Sequence, residues 1–282
     1  MQIVDEFDHF VVPVDDLVAA EDFYTRVFGG KVMARSGLSV KHQQLNIPPH
    51  TFVQIAGKRF GIFLQTEYRP TPPEVRGSPT YSFETTEAGI AETAGILRDS
   101  SARWDGPFEE DRPFAARSVY FTDPAGNHFH VYVPSEPRDD PSAGAADHIR
   151  ALGYLELEAP NLEASVRFYE QALGLELIGY GEDWRGLRQA NLRLPSSQLI
   201  FLTETDFAPK GLVMSRLVYG PHLGFLVRRA RWDEAIADFD ALGIANADRG
   251  GEWKRTTPDS GSGTYMDEPG GSVVQFITES GK

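Results

Sequence analysis

The sequence predicts an α+β protein made of four β-α-β-β-β units arranged in two halves. Three observations point there. Identities recur at one offset: Phe23-Tyr24 matches Phe168-Tyr169, Gly29 matches Gly174, Pro124 matches Pro269 and Gly126 matches Gly271, each 145 positions later. A fixed period of this kind marks an internal duplication. Capped segments of helical periodicity alternate with runs of β-branched and aromatic residues. Each half also closes on a strand–turn–strand stretch, at residues 120–132 and 265–276. At roughly 100–200 residues per domain, 282 residues suit two domains. They are expected at 1–138 and 147–282, separated by a polar, Pro- and Ala-bearing linker around 135–146.

The elements follow in order. Residues 7–17 read as a strand running into a helix cap, with His9, Val11 and Pro13 on one face and Phe10, Val12 and Val14 on the other. Asp15 or Asp16 caps a helix over 17–28, whose Ala20, Phe23, Tyr24 and Val27 form one stripe; Gly29-Gly30 ends it. Strands are expected at 31–34, 53–56 and 59–65. The order restarts with a strand at 80–85, a helix at 87–97, a loop at 104–107 and strands at 116–122 and 128–133. The turn between the last two is Asp123-Pro124-Ala125-Gly126-Asn127, where Pro presets φ, Gly takes a positive φ and Asn tolerates a left-handed position. The second half repeats this: a strand at 153–159, cap, helix and stop over 160–174, a hairpin near 179–185, a strand at 221–227, a helix at 231–242 and a closing pair at 264–278.

Composition excludes several classes. With 41 acidic against 27 basic residues the formal charge is −14, a surface that repels phosphate backbones, so no nucleic-acid partner is expected. The absence of cysteine excludes disulfides, thiolate metal sites and a cysteine nucleophile. No run of about 18 apolar residues suggests a membrane span, and the first residues lack a signal-peptide pattern. A cytoplasmic location is expected. No phosphate-binding Gly-rich loop, dinucleotide fingerprint or nucleophile elbow is present.

The stretches His9 to Leu17, Phe23-Tyr24 through Phe28-Gly29, Asp123 to Asn127, Asn161 to Ser165, Phe168-Tyr169 through Leu173-Gly174, His222 to Phe225 and Glu268 to Gly271 together resemble the vicinal oxygen chelate superfamily. That superfamily includes glyoxalases, fosfomycin-resistance proteins, bleomycin-binding proteins and extradiol dioxygenases. The resemblance implies two tandem cup-shaped glyoxalase-like domains, each formed by a pair of consecutive units. It also implies a divalent metal, at which two adjacent substrate oxygens chelate.

Carried onto this chain, the family's ligand positions fall on His9, Thr80 and His130 in the first cup. Gln65, on the strand closing the first unit, is a possible additional ligand. The expected metal set is therefore His9, His130 and Gln65, holding Zn, Fe, Ni or Mn without a carboxylate. In the second cup the positions fall on Tyr154, His222 and Gln275, a poor ligand set that suggests a degenerate site with His222 as general base. Thr80, Tyr154 and Gln275 are expected to line substrate. Glu67, the stretch 252–255 with Lys254 and Arg255, and a lid at 258–263 are secondary candidates; His42, His50 and His148 are expected to be structural. Two functions follow from the resemblance. One is a metal-dependent lyase or dioxygenase acting on a small molecule with vicinal oxygens. The alternative is a metal-free protein that binds or sequesters an antibiotic-like small molecule. A homodimer is compatible with either.

Overall fold

The structure, a computed structural model, describes residues 3–44, 48–65, 74–110, 114–136, 148–206, 222–244, 246–247 and 264–278. The first unit comprises β1 (Val4–Val14), α1 (Leu17–Val27), β2 (Lys31–Ser36), the short α2 (Val40–Gln44), β3 (His50–Ile55) and β4 (Lys58–Leu64). The second comprises β5 (Thr80–Thr85), α3 (Glu87–Arg98), β6 (Trp104–Glu109), β7 (Ala115–Thr122) and β8 (His128–Pro134). The third comprises β9 (Ile149–Ala159), α4 (Leu162–Gln171), β10 (Glu176–Glu182), β11 (Arg188–Arg193) and β12 (Leu199–Glu204). The fourth comprises β13 (His222–Val227), α5 (Trp232–Ala241), β14 (Asn246–Ala247), β15 (Thr264–Asp267) and β16 (Val273–Ile277).

The α+β class and the four β-α-β-β-β units are those expected. Side chains start three of the helices by satisfying their free N–H groups. Asp16 accepts from Val18 and Ala19, Thr86 from Gly89 and Asn161 from Ala164. Residues 104–109, expected as a loop, form β6 on β7. The register slips between Asp105 and Phe108, so Gly106-Pro107 is accommodated as an irregularity within a paired strand.

The strands form two eight-stranded sheets, in the orders β14-β15-β16-β13-β1-β4-β3-β2 and β10-β11-β12-β9-β5-β8-β7-β6. The first sheet holds strands of the first and fourth units, the second those of the second and third. The chain also divides into two compact units: an earlier one, Val11–Leu155, and a later one, Met1–Phe10 with Glu156–Lys282. The start of the chain thus belongs with its second half. The reason is visible in the later unit. Buried Gln198 accepts from the Phe7 N–H at 2.8 Å and donates to the Phe7 carbonyl at 3.2 Å, completing both backbone groups of β1. Val4 N–H donates to the Leu173 carbonyl, Ser196 N–H to the Asp5 carbonyl, and Arg228 pairs with Asp5 at 2.8 Å. The Phe7 ring packs 5.5 Å from Phe225.

Each unit has an aromatic core. In the earlier one, Phe28 lies 4.9 Å from Phe83 and 5.3 Å from Phe129, with Tyr24 5.6 Å from Phe129. Each such buried ring contributes about 1.5–3 kcal/mol. Tyr24 donates its hydroxyl to Asp123 at 3.2 Å, and Asn127 donates its backbone and side-chain N–H groups to the same carboxylate at 2.8 and 2.7 Å. The closing turn is thereby fastened beneath α1. Burial pushes the Asp123 carboxyl up to about 6, against the pull of those hydrogen bonds. In the later unit Phe225 packs on Tyr169 and Phe239 on Phe276. Glu268, in the matching turn, is likewise raised by burial and accepts from the Gly270 N–H at 2.7 Å. Among the described residues no helix is long and apolar enough to cross a membrane.

Candidate functional site

Four strands of the later unit bring polar side chains to one sheet face. On β13, His222 and Gly224 share a face because strand residues alternate. Gly224 is the register partner of Gln275 on β16, and Gln275 that of Tyr265 on β15, so all four point the same way. His9, near the start of β1, lays its ring over Gly224: a Cβ there would stand 2.7 Å from His9 Nε2 and closer still to Cε1 and Nδ1. Glycine is required at 224 by this approach, not by its φ.

The result is a compact polar group. His9 Nε2 lies 3.3 Å from His222 Nε2, with the rings edge-on at 5.4 Å and 87°. His9 Nδ1 lies 2.8 Å from Asp8 Oδ2. A carboxylate there holds the proton on Nδ1, so the neutral ring presents a lone pair at Nε2. His222 meets the Tyr265 ring edge-on at 5.3 Å. Gln275 donates from Nε2 to the Tyr265 hydroxyl at 2.9 Å, which makes its carbonyl oxygen the amide's other end. Gln275 is 3% exposed and His222 8%.

His130, expected to share a site with His9, is on β8 in the second sheet and the earlier unit. There it is fully buried, with Tyr120 stacked at 4.1 Å and Tyr132 at 5.3 Å. The Tyr154 hydroxyl is 2.7 Å from its Nδ1, and Glu110 is 3.9 Å from its Nε2. Tyr154 reaches it because Ser82 clips β9 to β5, donating to the Tyr154 carbonyl and accepting from its N–H, both at 2.6 Å. Tyr132 donates to Glu84 at 3.0 Å, and Ser118 to Glu110. Thr80, expected to line substrate, gives its hydroxyl to the Gly77 carbonyl. This group is a packed cluster of stacked rings and hydrogen bonds.

Gln65 N–H donates to the Val14 carbonyl. Of the residues expected in the second cup, Tyr154 lies against His130, His222 lies against His9, and Gln275 is the register partner of Gly224. Glu67, residues 252–255 and residues 258–263 lie outside the described residues. His50 stacks on Phe63 at 4.3 Å, and His148 bonds the Val27 carbonyl at 2.7 Å, both structural roles. Sequence reasoning missed Asp8, Gly224 and Tyr265. The two-residue spacing of His222 and Gly224 places both on one face, but nothing in it reveals which strand lies alongside. Among the described residues no three His, Cys, Asp or Glu side chains group as a metal site.

Residues 6–131 match the model of the Glyoxalase/Bleomycin resistance protein/Dioxygenase superfamily. No curated protein matches the sequence. The structure of a candidate dioxygenase from Bacillus subtilis subsp. subtilis str. 168 is similar at 14% identity and a TM-score of 0.70, over 99% of this chain and 86% of that one. Glyoxalase I from Zea mays is similar at 15% identity and a TM-score of 0.63, over 97% of this chain and 92% of that one. At these identities the likeness is one of fold.

Proposed function

We propose that this protein, whose residues 6–131 match the model of the Glyoxalase/Bleomycin resistance protein/Dioxygenase superfamily, is a metal-dependent enzyme acting on a small molecule with two adjacent oxygens, and that His9, His222 and Gln275 hold the metal. The observation that carries this is the 3.3 Å separation of the two Nε2 atoms. Metal–imidazole bonds of about 2.0–2.1 Å with angles of roughly 90–109° set two such nitrogens about 2.9–3.4 Å apart. Gln275 supplies an amide oxygen on the same face. A bound divalent ion supplies Lewis acidity toward the paired substrate oxygens.

The chain's own groups prepare that site. Asp8 fixes the His9 tautomer, Gly224 makes room for the ring, and Tyr265 holds the amide nitrogen of Gln275. The base role expected of His222 gives way to a ligand role, because its Nε2 faces His9. His130, Gln65, Thr80 and Tyr154 take no part in this proposal. The test is to load the metal-stripped protein with Zn²⁺, Mn²⁺, Fe²⁺ or Ni²⁺ and count ions retained after gel filtration. One ion per chain is expected. A second reading, metal-free binding of a small molecule, is favoured by the lack of a carboxylate ligand; no retained metal together with ligand binding indifferent to EDTA would establish it.

A further inference from the structure

The turn that closes the later unit repeats the backbone of the turn that closes the earlier one. Asp123 N–H donates to the Asn127 carbonyl and Gly126 N–H to the Asp123 carbonyl; 145 positions on, Glu268 N–H donates to the Ser272 carbonyl and Gly271 N–H to the Glu268 carbonyl. The side chains differ. In the earlier unit Tyr24 and Asn127 donate directly to Asp123. In the later unit Ser272 stands where Asn127 does and has no side-chain amide to offer. The longer Glu268 turns Oε2 back to the Gly270 N–H at 2.7 Å. Its Oε1, the Tyr169 hydroxyl and the Ser165 hydroxyl are all buried, and none of the three makes a hydrogen bond among the described residues. Glu268 is 4% exposed, Ser165 and Tyr169 0%. The three atoms face one another. Ser165 and Tyr169 lie one turn apart on α4, and so on one side of it. Burial first, and then the Glu268 carboxylate, push the Tyr169 phenol well above its usual range. Burial also raises Glu268, and the Ser165 hydroxyl opposite draws it partly back.

We infer that the later unit binds one internal water between Glu268 Oε1, the Tyr169 hydroxyl and the Ser165 hydroxyl, in place of the direct tyrosine–carboxylate bond of the earlier unit. The donor set suits water. Tyr169 donates to it, it donates to Glu268, and the Ser165 hydroxyl, donor and acceptor alike, makes the third bond. Buried waters make about three such bonds to polar groups that the protein itself does not satisfy, and leaving those groups unmet is costly. Ala20, at the position matching Ser165, offers no third bond where the contact is already direct. The water fastens α4 to the turn leading into β16, and the inference is independent of the metal reading.

A high-resolution crystal structure of the native protein tests this without any variant. A single density peak about 2.5–3.0 Å from all three oxygens is expected. Direct bonds among the three side chains, with no density between them, overturn the inference. A cation in that place, marked by about six or more oxygen ligands, overturns it too. Oxygen-17 relaxation dispersion of the solvent tests it in solution, by comparing the native protein with the double variant Glu268→Asp, Ser272→Asn, which installs the residues of the earlier turn. The double variant is expected to lose one long-lived internal water per chain. A double variant shown by circular dichroism to be folded, with an unchanged number of long-lived waters, overturns the inference.

Discussion

Gly224→Ala places a methyl group where the His9 ring lies. The added Cβ would meet three ring atoms, Nε2 at 2.7 Å and two others at shorter range. Comfortable contact requires about 3.5 Å, so the ring has to move by about 1 Å or more. Overpacking of this kind costs about 1–3 kcal/mol. Removing a glycine from a strand returns about 0.5–1 kcal/mol of backbone entropy, which leaves a net loss of about 1–2 kcal/mol. In a His9→Ala background the methyl has space, and the same substitution is expected to be neutral or stabilising. The coupling between positions 9 and 224 is therefore expected at about 1–3 kcal/mol. Urea unfolding of the native protein, the two single variants and the double variant measures it. Metal titration of Gly224→Ala is expected to show about a hundredfold weaker binding, because displacing His9 removes one ligand. An equal cost of Gly224→Ala with and without the His9 ring would refute the placement of that ring over β13.

Three other outcomes follow from the same geometry. Asp8→Ala is expected to weaken metal binding about 10–100-fold by releasing the His9 tautomer, with little change in unfolding free energy; calorimetric titration checks it. Tyr154→Phe removes a partner of buried His130 and is expected to cost about 1–3 kcal/mol in urea unfolding while leaving metal affinity unchanged. Asp123 is raised by burial from an ordinary 3.8 to about 6, so the folded state takes up its proton more readily than the unfolded chain. Its contribution is full below pH 3.8 and is lost as pH rises through about 6. At ~1.36 kcal/mol per pH unit the loss is at most about 3 kcal/mol. The stability of the native protein relative to Asp123→Asn is therefore expected to fall between about pH 4 and 7, measured by unfolding at each pH.

Much of the fold was legible because its signals are local. The strand expected at 80–85 is β5, Thr80–Thr85, and the helix expected at 17–28 is α1, Leu17–Val27. Alternation also put His222 and Gly224 on one face. The partner of β1 was not legible. That choice rests on contacts far apart in sequence, such as Gln198 completing the backbone of Phe7 and Phe7 packing on Phe225. Neither leaves a periodic trace. The surroundings of His130 were not legible for a related reason: the tyrosines packed around it come from β7, β8 and β9. The strand β6 escaped because Gly106-Pro107 resembles turn chemistry, whereas the register slip absorbs it inside a paired strand.

The central claim is that His9 works with His222 and not with His130. Metal content of purified, metal-reloaded His9→Ala, His222→Ala and His130→Ala proteins, measured by plasma mass spectrometry, tests it most directly. Loss of metal in the first two and retention in the third is the predicted result. Retention in His222→Ala with loss in His130→Ala would contradict it.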